Sequence, residues 1–243
     1  MEALQLSFLQ QRSKRQFVIV PAPVRRSRVG RNRDGLILGV GINDGDEPTT
    51  YRDPLTGKMK TTPAYATWHA MLTRCHSPTF RAGSCAYVGV VVCTEWLTFS
   101  NFKTWYDANY VSGYQLDKDL VNPGSKEYSP ANCRYVPQYI NLLITGSNVT
   151  RGHYPLGVSY HVLARKFAAD CRMGGKQHRL GYFSDVMVAH KAWQLFKADA
   201  VDATVKRYLM TEKVVHVDVL KSLVAYADRL RSDAAADRET IGF

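Results

Sequence analysis

The chain has 243 residues, of which 45% are hydrophobic and 22% are charged, a balance that is typical of a folded globular protein and excludes a disordered chain. No apolar run of about 18 residues occurs, so we expect no transmembrane helix, and the first residues lack the apolar core of a secretory signal. Lysine and arginine outnumber aspartate and glutamate by 32 to 21, and the resulting net charge of +11 favours nucleic acid as a partner over a membrane.

Residues 1–50 are predicted to form a basic arm that leads into a turn-rich segment. Within residues 1–34, eight lysines and arginines stand against only Glu2 and Asp34. Such a run does not fold alone and tends to lie along phosphates, although the alternative is a solvated arm that contacts nothing. A short strand is expected at 17–20, before two prolines. The DNA contacts expected from the arm are Arg25, Arg26 and Arg28.

Residues 51–147 are predicted to form an α+β core. A first helix is expected over 63–76, because apolar side chains recur there at helical spacing. A short strand follows at 88–93, and a second helix at 95–105 carries an aromatic stripe that we assign to the core. The remaining expected elements are a strand over 113–120, a strand or turn near 128–133 and a helix that begins at 137.

Residues 148–205 follow a polar linker and are predicted to form a small antiparallel sheet packed on one helix. Gly174-Gly175 indicates a hairpin turn, and Ser184 is the expected cap of a helix over 185–200. The expected buried face of that helix consists of Val188, Ala192, Leu195 and Phe196. Three short alternating strands are expected at 156–161, 166–172 and 177–183.

Residues 206–243 are predicted to form a C-terminal helix and tail. The stretch 217–231 is amphipathic, and we expect it to pack on the body or to mediate pairing. Its expected apolar face consists of Val217, Leu220, Val224, Ala227 and Leu230.

Four pieces of sequence follow one another in residues 155–197: Gly-Val at 157–158, Phe-Ala-Ala-Asp-Cys-Arg at 167–172, Leu-Gly-Tyr-Phe at 180–183, and an alanine-rich helix. In this order they resemble the plant APETALA/ethylene-response DNA-binding domain, a module also found beside phage homing nucleases. The resemblance implies a three-stranded sheet that lies in the major groove of double-stranded DNA. The contacts that it implies are Arg172 and Arg179, followed by Tyr160, Lys166 and Lys176.

The charge of this segment agrees with that implication. Residues 151–197 hold eight lysines and arginines against two aspartates, a net charge of +6. Alternation places the even-numbered residues from Lys166 to Arg172 on one face of the second strand and the odd-numbered residues on the other. We expect the odd-numbered face to pack on the helix, which leaves the even-numbered face for phosphates and base edges. The alternative is a small sheet with a solvated charged face.

A second pattern lies at residues 113–143, where Asp117-Lys118-Asp119 ends a strand, Asn132-Cys133 precedes the next, and Asn141 stands early on a helix. These residues resemble the HNH, or ββα-metal, nuclease motif in its endonuclease VII-like form, and residues 63–143 are similar to phage proteins of this type. The resemblance implies a divergent ββα-metal core that cleaves DNA in an infected host cell. It names as catalytic candidates Asp117, Lys118, Asp119 and Asn132.

The metal expected from this resemblance is Mg²⁺ or a similar divalent cation, with Asp117 and Asn141 as its ligands. A hard cation takes oxygen ligands such as these and stabilises charge on the phosphate and on the leaving oxygen. Lys118 stands where the motif has the histidine that activates water. A lysine is normally protonated and is a poor base unless buried, so Lys118 is either an unusual base or a phosphate ligand.

The five cysteines are widely spaced, which favours free thiols in a reducing compartment such as the cytoplasm. None forms a Cys-Xaa-Xaa-Cys knuckle, so we do not expect a structural zinc site.

Three functions remain open from the sequence. The first is a metal-dependent DNA endonuclease. The second is a DNA-binding or host-takeover protein with a vestigial nuclease site, and the third is a basic RNA-binding structural protein. The sequence gives no oligomeric state.

Overall fold

The computed structural model describes residues 35–83, 87–144 and 153–243. The strand expected at 17–20 and the contacts expected from Arg25, Arg26 and Arg28 lie outside the described residues, as does most of the polar linker before residue 153. The described part is an α+β fold with small sheets, as the sequence predicts. Within these residues, no helix combines the length and apolarity that crossing a membrane requires.

The described elements are nine strands and six α-helices. The strands are β1 (Thr50–Arg52), β2 (Met59–Thr61), β3 (Val91–Val92), β4 (Tyr114–Asp117), β5 (Glu127–Tyr128), β6 (Arg134–Pro137), β7 (Val158–His161), β8 (Lys166–Met173) and β9 (Lys176–Phe183). The helices are α1 (Pro63–His76), α2 (Pro78–Ala82), α3 (Phe99–Asn109), α4 (Gln138–Ile144), α5 (Val186–Thr211) and α6 (Val217–Ala235).

The first half of the fold is built around α1, whose predicted bounds are confirmed. Pro63 occupies its first turn, where a missing N–H costs no hydrogen bond. Trp68 is fully buried and donates its indole N–H to the carbonyl of Trp96 at 2.6 Å. Before α1, the structure contains the antiparallel hairpin of β1 and β2, which was not predicted from the sequence.

The helix expected over 95–105 is interrupted. A 3₁₀ turn covers Thr94–Leu97, and α3 begins only at Phe99. The interruption has a tertiary cause, because the backbone N–H of Ile42 donates to Leu97 and its carbonyl accepts from the N–H of Phe99. The assignment of the aromatic stripe to the core is confirmed by the buried side chains Trp96, Phe99, Phe102 and Tyr106.

The strand–strand–helix arrangement predicted over 113–143 is present. β4 and β6 pair antiparallel, with Asp117 opposite Arg134, and α4 begins directly after β6. The apolar stretch predicted as a strand at 88–93 is reduced to β3, which pairs parallel with β5. This small unit therefore places the end of β4 beside α4.

The three strands predicted after residue 155 are confirmed as the antiparallel sheet β7–β8–β9, with Gly174 and Gly175 in the expected hairpin turn. The sheet packs on α5 through a very close approach at Gly157, whose φ is +75°. A Cβ built at Gly157 would lie 1.9 Å from Trp193 Cδ1, so only glycine fits there.

Three expectations about α5 are wrong. Its cap is Asp185 rather than Ser184, because the Asp185 carboxylate accepts the N–H groups of Met187 and Val188. The helix also continues to Thr211, well beyond residue 200, because α6 packs along its second half. The expected buried face is displaced as well, since Val188 and Leu195 are exposed. The buried residues of its first half are Ala189, His190, Trp193, Gln194, Lys197 and Ala198.

The C-terminal helix α6 packs against α5, which confirms the first of the two roles expected for it. Leu230 and Ala227 of its expected face are buried, whereas Val217 and Val224 are exposed. The residues buried on α6 are Val219, Leu223, Tyr226, Ala227, Leu230 and Ala234.

One hydrophobic core crosses the boundary predicted between residues 147 and 148. Val136 and Ile140 of the strand–strand–helix unit share this core with Trp193, Tyr208 and Leu223 of the long helices. Polar contacts reinforce the connection, and they include the Arg134–Asp218 ion pair at 2.6 Å and hydrogen bonds from Tyr114 and Tyr139 to Glu212. The α5–α6 pair therefore fixes the sheet relative to β4, β6 and α4.

Candidate nuclease site and nucleic-acid interface

Asp117 ends β4 and shapes the turn that follows. Its buried carboxylate accepts the backbone N–H groups of Asp119 and Leu120 at Oδ1, each at 2.8 Å. Burial raises the pKa of Asp117, although the two hydrogen bonds act in the opposite direction. Among the described residues, Oδ2 receives no hydrogen bond, so this oxygen remains available to a ligand.

Lys118 is also buried, and its ammonium group is held by fixed partners. Nζ donates to Asp119 Oδ1 at 2.5 Å and to the carbonyl of Ser125 at 3.0 Å, and it lies 5.8 Å from the centre of the Tyr128 ring. An ammonium group that is paired in this way remains a hydrogen-bond donor. The geometry therefore suits contact with a phosphate better than removal of a proton from water.

Asn141 lies on the same side of β4 as Asp117. Its Nδ2 donates to Gln115 Oε1 at 3.0 Å, and Gln115 precedes Asp117 by two residues on the strand. Residues two apart on a strand share a face, so α4 brings the carboxamide to the face that carries the carboxylate. The structure therefore places both residues on one face of β4, and their role as metal ligands stays a prediction.

The donor set at this face fits a hard divalent cation in its chemistry. Asp117 Oδ2 and the Asn141 carbonyl oxygen are the oxygen ligands that Mg²⁺ prefers, and Mg²⁺ usually takes only one or two protein ligands together with water and phosphate. The described residues contain no cluster of three or more His, Cys, Asp or Glu that would form a closed metal cage. Both residues line an open cleft, so a cation held by them would be accessible to substrate.

The side chain of Asn132 is hydrogen-bonded to the loop that precedes it. Its Nδ2 donates to Ser125 Oγ at 2.9 Å and to the Glu127 carbonyl at 3.2 Å. These bonds fasten the loop that supplies the Ser125 carbonyl to Lys118. Asn132 therefore holds in place the loop whose carbonyl accepts a hydrogen bond from Lys118.

A large open cleft of about 1750 Å³ connects this site with the three-stranded sheet. Asp117, Lys118 and Asn141 line it, and so does Arg172 at the turn between β8 and β9. The ionisable Lys, Arg, Asp and Glu residues of its described lining are Arg74, Lys118, Arg172, Lys197, Arg207, Asp117 and Asp119. Five cations therefore face two carboxylates, which makes the cleft attractive to a polyanion.

Three of these cations were not predicted from the sequence. Arg74 contacts the Tyr128 hydroxyl at 3.4 Å, and the Arg207 guanidinium lies 3.9 Å from the centre of the Tyr139 ring. Lys197 is buried and donates to the carbonyl of Leu143 at 2.5 Å, at the end of α4. Burial lowers the pKa of Lys197. No sequence motif marks these side chains, because separate helices carry them to the cleft.

The face of the sheet that points away from α5, here called the outer face, is shaped by a β-bulge. Ala169 pairs with Gly181 but Asp170 pairs with Arg179, so Leu180 is an extra residue in β9. A bulge changes which side chains share a face. It places Arg179 beside Tyr182, with the guanidinium carbon 4.9 Å from the ring centre.

The outer face has fewer unpaired cations than strand alternation alone predicts. Lys166 and Arg172 are exposed as expected, but Ala168 is fully buried. Arg179 donates Nε to Asp170 Oδ1 at 2.6 Å, and this contact raises the pKa of Arg179. On the outer face, the expected contacts that have no carboxylate partner among the described residues are therefore Lys166 and Arg172.

Two further expected contacts, Tyr160 and Lys176, lie away from the cations of the outer face. Tyr160 pairs directly with Phe167, and their rings meet at 5.4 Å, so the register places Tyr160 on the opposite face from Lys166. Lys176 pairs with Met173 at the hairpin end and is exposed. Tyr160 therefore reaches solvent at the edge of the sheet, while Lys176 extends from its tip.

The buried cysteines behave as core residues. Burial raises the pKa of Cys75 and of Cys93 to about 11 and that of Cys133 to about 12, so these thiols stay protonated at neutral pH. Cys171 is likewise a free buried thiol.

Comparisons with known proteins found no matching family model, no matching curated protein and no matching solved structure. The grounds for a function are therefore the charges, contacts and chemistry of the site itself.

Proposed function

We propose that this protein binds double-stranded DNA and hydrolyses its backbone with a divalent metal ion at the strand–strand–helix unit. One observation carries the proposal: Arg172 of the sheet lines the same cleft as Asp117 and Asn141. A duplex that contacts the sheet at this end would run past the carboxylate and the carboxamide. Binding and cleavage would then use one continuous surface.

The charge of the cleft supports the choice of a polyanionic substrate. Five lysines and arginines line it against two aspartates, and the whole chain carries a net charge of +11. Each phosphate contact with Lys or Arg releases condensed counterions, so binding should weaken steeply with salt. We place this activity in the cytoplasm of an infected host cell, where free thiols persist.

The proposed roles follow from the contacts at the end of β4. Asp117 and Asn141 would hold the metal through oxygen atoms, and the bound ion would stabilise charge on the phosphate and the leaving oxygen. Lys118 would donate to a phosphate oxygen, and Asp119 and the Ser125 carbonyl hold its ammonium group in place. The backbone hydrogen bonds to Asp117 Oδ1 keep the other carboxylate oxygen oriented.

A second candidate function is DNA binding without cleavage. It is favoured by one observation, namely that no histidine lies in the described lining of the cleft. The residue at the motif's base position, Lys118, is committed to an ion pair. A protein of this kind would use the same cationic surface and retain the site only as a structural turn.

Cleavage of supercoiled plasmid with Mg²⁺ or Mn²⁺ across a range of pH separates the two candidates. Wild type should nick the plasmid, and Asp117→Asn should not, although asparagine keeps an oxygen for the turn. Salt-sensitive binding without nicking supports the second candidate, especially if Lys118→His then gains activity. Preferential binding of structured RNA in competition with duplex DNA would contradict both.

A further inference from the structure

The β7–β8 hairpin ends in a tip formed by residues 162–165, and two apolar side chains of this tip are highly exposed to solvent. Leu163 is 93% exposed and Val162 is 74% exposed, although both are apolar. Single exposed apolar side chains are common on protein surfaces. Two adjacent ones at the end of a protruding hairpin form a small apolar point that can enter another molecule. We propose that this tip is a wedge that inserts between base pairs of bound duplex DNA.

The tip has a defined shape before it binds anything. His161 Nδ1 accepts the N–H of Ala164 at 3.1 Å, and the N–H of Arg165 donates to the carbonyl of Val162 at 3.2 Å. Arg165 has a φ of +51°, a conformation that non-glycine residues adopt only when surrounding contacts hold them. The apolar point is therefore presented by an ordered turn, and little ordering entropy is lost when it inserts.

The charges around the tip select DNA as the occupant. Arg165 and Lys166 follow the apolar pair after Ala164 and are exposed, and the sequence from 153 to 169 contains no aspartate or glutamate. Proteins that kink DNA combine inserted apolar side chains with cations that contact the neighbouring phosphates. The tip also continues the outer face, because the His161 ring contacts the Tyr182 ring at 5.1 Å.

A second copy of the chain is a poorer occupant for the same point. Stable protein interfaces bury about 800 Å² on each partner, which two aliphatic side chains at a hairpin tip do not provide. A base step, by contrast, needs only one or two inserted side chains to unstack it. The size of the tip therefore agrees with its charge in favouring DNA.

The proposal rests on the DNA binding proposed above, so its test measures binding and insertion separately. Affinity is measured by fluorescence anisotropy with a 30-base-pair duplex. Insertion is measured as unwinding of a closed plasmid that is relaxed by a metal-independent topoisomerase in EDTA, which also suppresses metal-dependent nicking. The matched control is Leu55→Ala, because Leu55 is a leucine exposed to 91% at the tip of the β1–β2 hairpin.

Wild type and Leu55→Ala should bind equally and unwind the plasmid equally. Leu163→Ala should bind about 60-fold more weakly, because it removes three carbons and each carbon lost from a buried apolar contact weakens affinity by about fourfold. At saturating protein concentration, Leu163→Ala should unwind the plasmid much less than wild type does. All three proteins should melt at the same temperature, since both leucines are exposed.

The outcomes that overturn the inference are specific. Equal unwinding by wild type and Leu163→Ala at saturation would show that the tip does not insert. A dimer of wild type that Leu163→Ala converts to a monomer would show that a second copy covers the tip. No binding of wild type to the duplex would instead contradict the proposed function itself.

Discussion

The turn after β4 offers the sharpest test of how Asp117 is used. Replacement by alanine removes the acceptor of two backbone N–H groups, those of Asp119 and Leu120, in a buried setting. Each unsatisfied buried donor costs about 1–3 kcal/mol, so we expect the loss of both partners in Asp117→Ala to lower the free energy of unfolding by about 2–6 kcal/mol. Asp117→Asn keeps an oxygen acceptor and should lower it by less than about 1 kcal/mol.

The two variants also differ from wild type in their dependence on pH. Burial raises the pKa of Asp117 above its value in the unfolded chain, so the folded state holds this proton more tightly. The favourable contribution of this group is fully present below the ordinary pKa and is lost as pH rises through the raised pKa. Stability of Asp117→Asn relative to wild type should therefore increase with pH across that interval and then level off.

Urea denaturation of wild type, Asp117→Asn and Asp117→Ala at several pH values gives these free energies of unfolding. A range from about pH 3.5 to 8 covers the titration of carboxyl groups. The reasoning is refuted if Asp117→Ala is as stable as Asp117→Asn, because the turn would then not depend on the oxygen acceptor. Combined with the plasmid assay, loss of nicking in a stable Asp117→Asn variant assigns the carboxylate to the chemistry rather than to the fold.

Three further predictions concern the sheet and its packing. Arg172→Ala should weaken duplex binding and reduce the slope of log affinity against log salt by about 0.9, as measured by anisotropy; an unchanged slope would mean that Arg172 contacts no phosphate. Asp170→Ala should release Arg179 from its ion pair and strengthen binding, whereas Arg179→Ala should weaken it, and equal affinities would show that the outer face does not meet DNA. Gly157→Ala should lower the melting temperature markedly, because its Cβ would overlap the Trp193 ring at a φ of +75°, and a melting temperature equal to that of wild type would contradict this packing.

The candidate site shows how far local sequence reasoning extends. The strand, strand and helix that carry Asp117 and Asn141 occur in the expected order, and both residues lie on one side of β4. Their pairing as metal ligands was implied by the resemblance to the ββα-metal motif and stays a prediction. The hydrogen bond from Lys118 to the Ser125 carbonyl was not predicted, because that carbonyl comes from a loop whose path depends on Asn132. Arg74 and Arg207 reach the cleft from separate helices, so no spacing in the sequence marks them.

The sequence by itself determined the elements whose pattern is local. The apolar spacing of 63–76 fixed α1, and alternation with a Gly-Gly turn fixed the three strands of the sheet, because residues within an element repeat with its geometry. The tertiary structure decided where distant segments take over local hydrogen bonds or packing. Ile42 interrupts the helix before Phe99, α6 extends α5 to Thr211, and the bulge at Leu180 turns Arg179 to the outer face. Each of these depends on a partner in another element, which the periodicity of a single element does not contain.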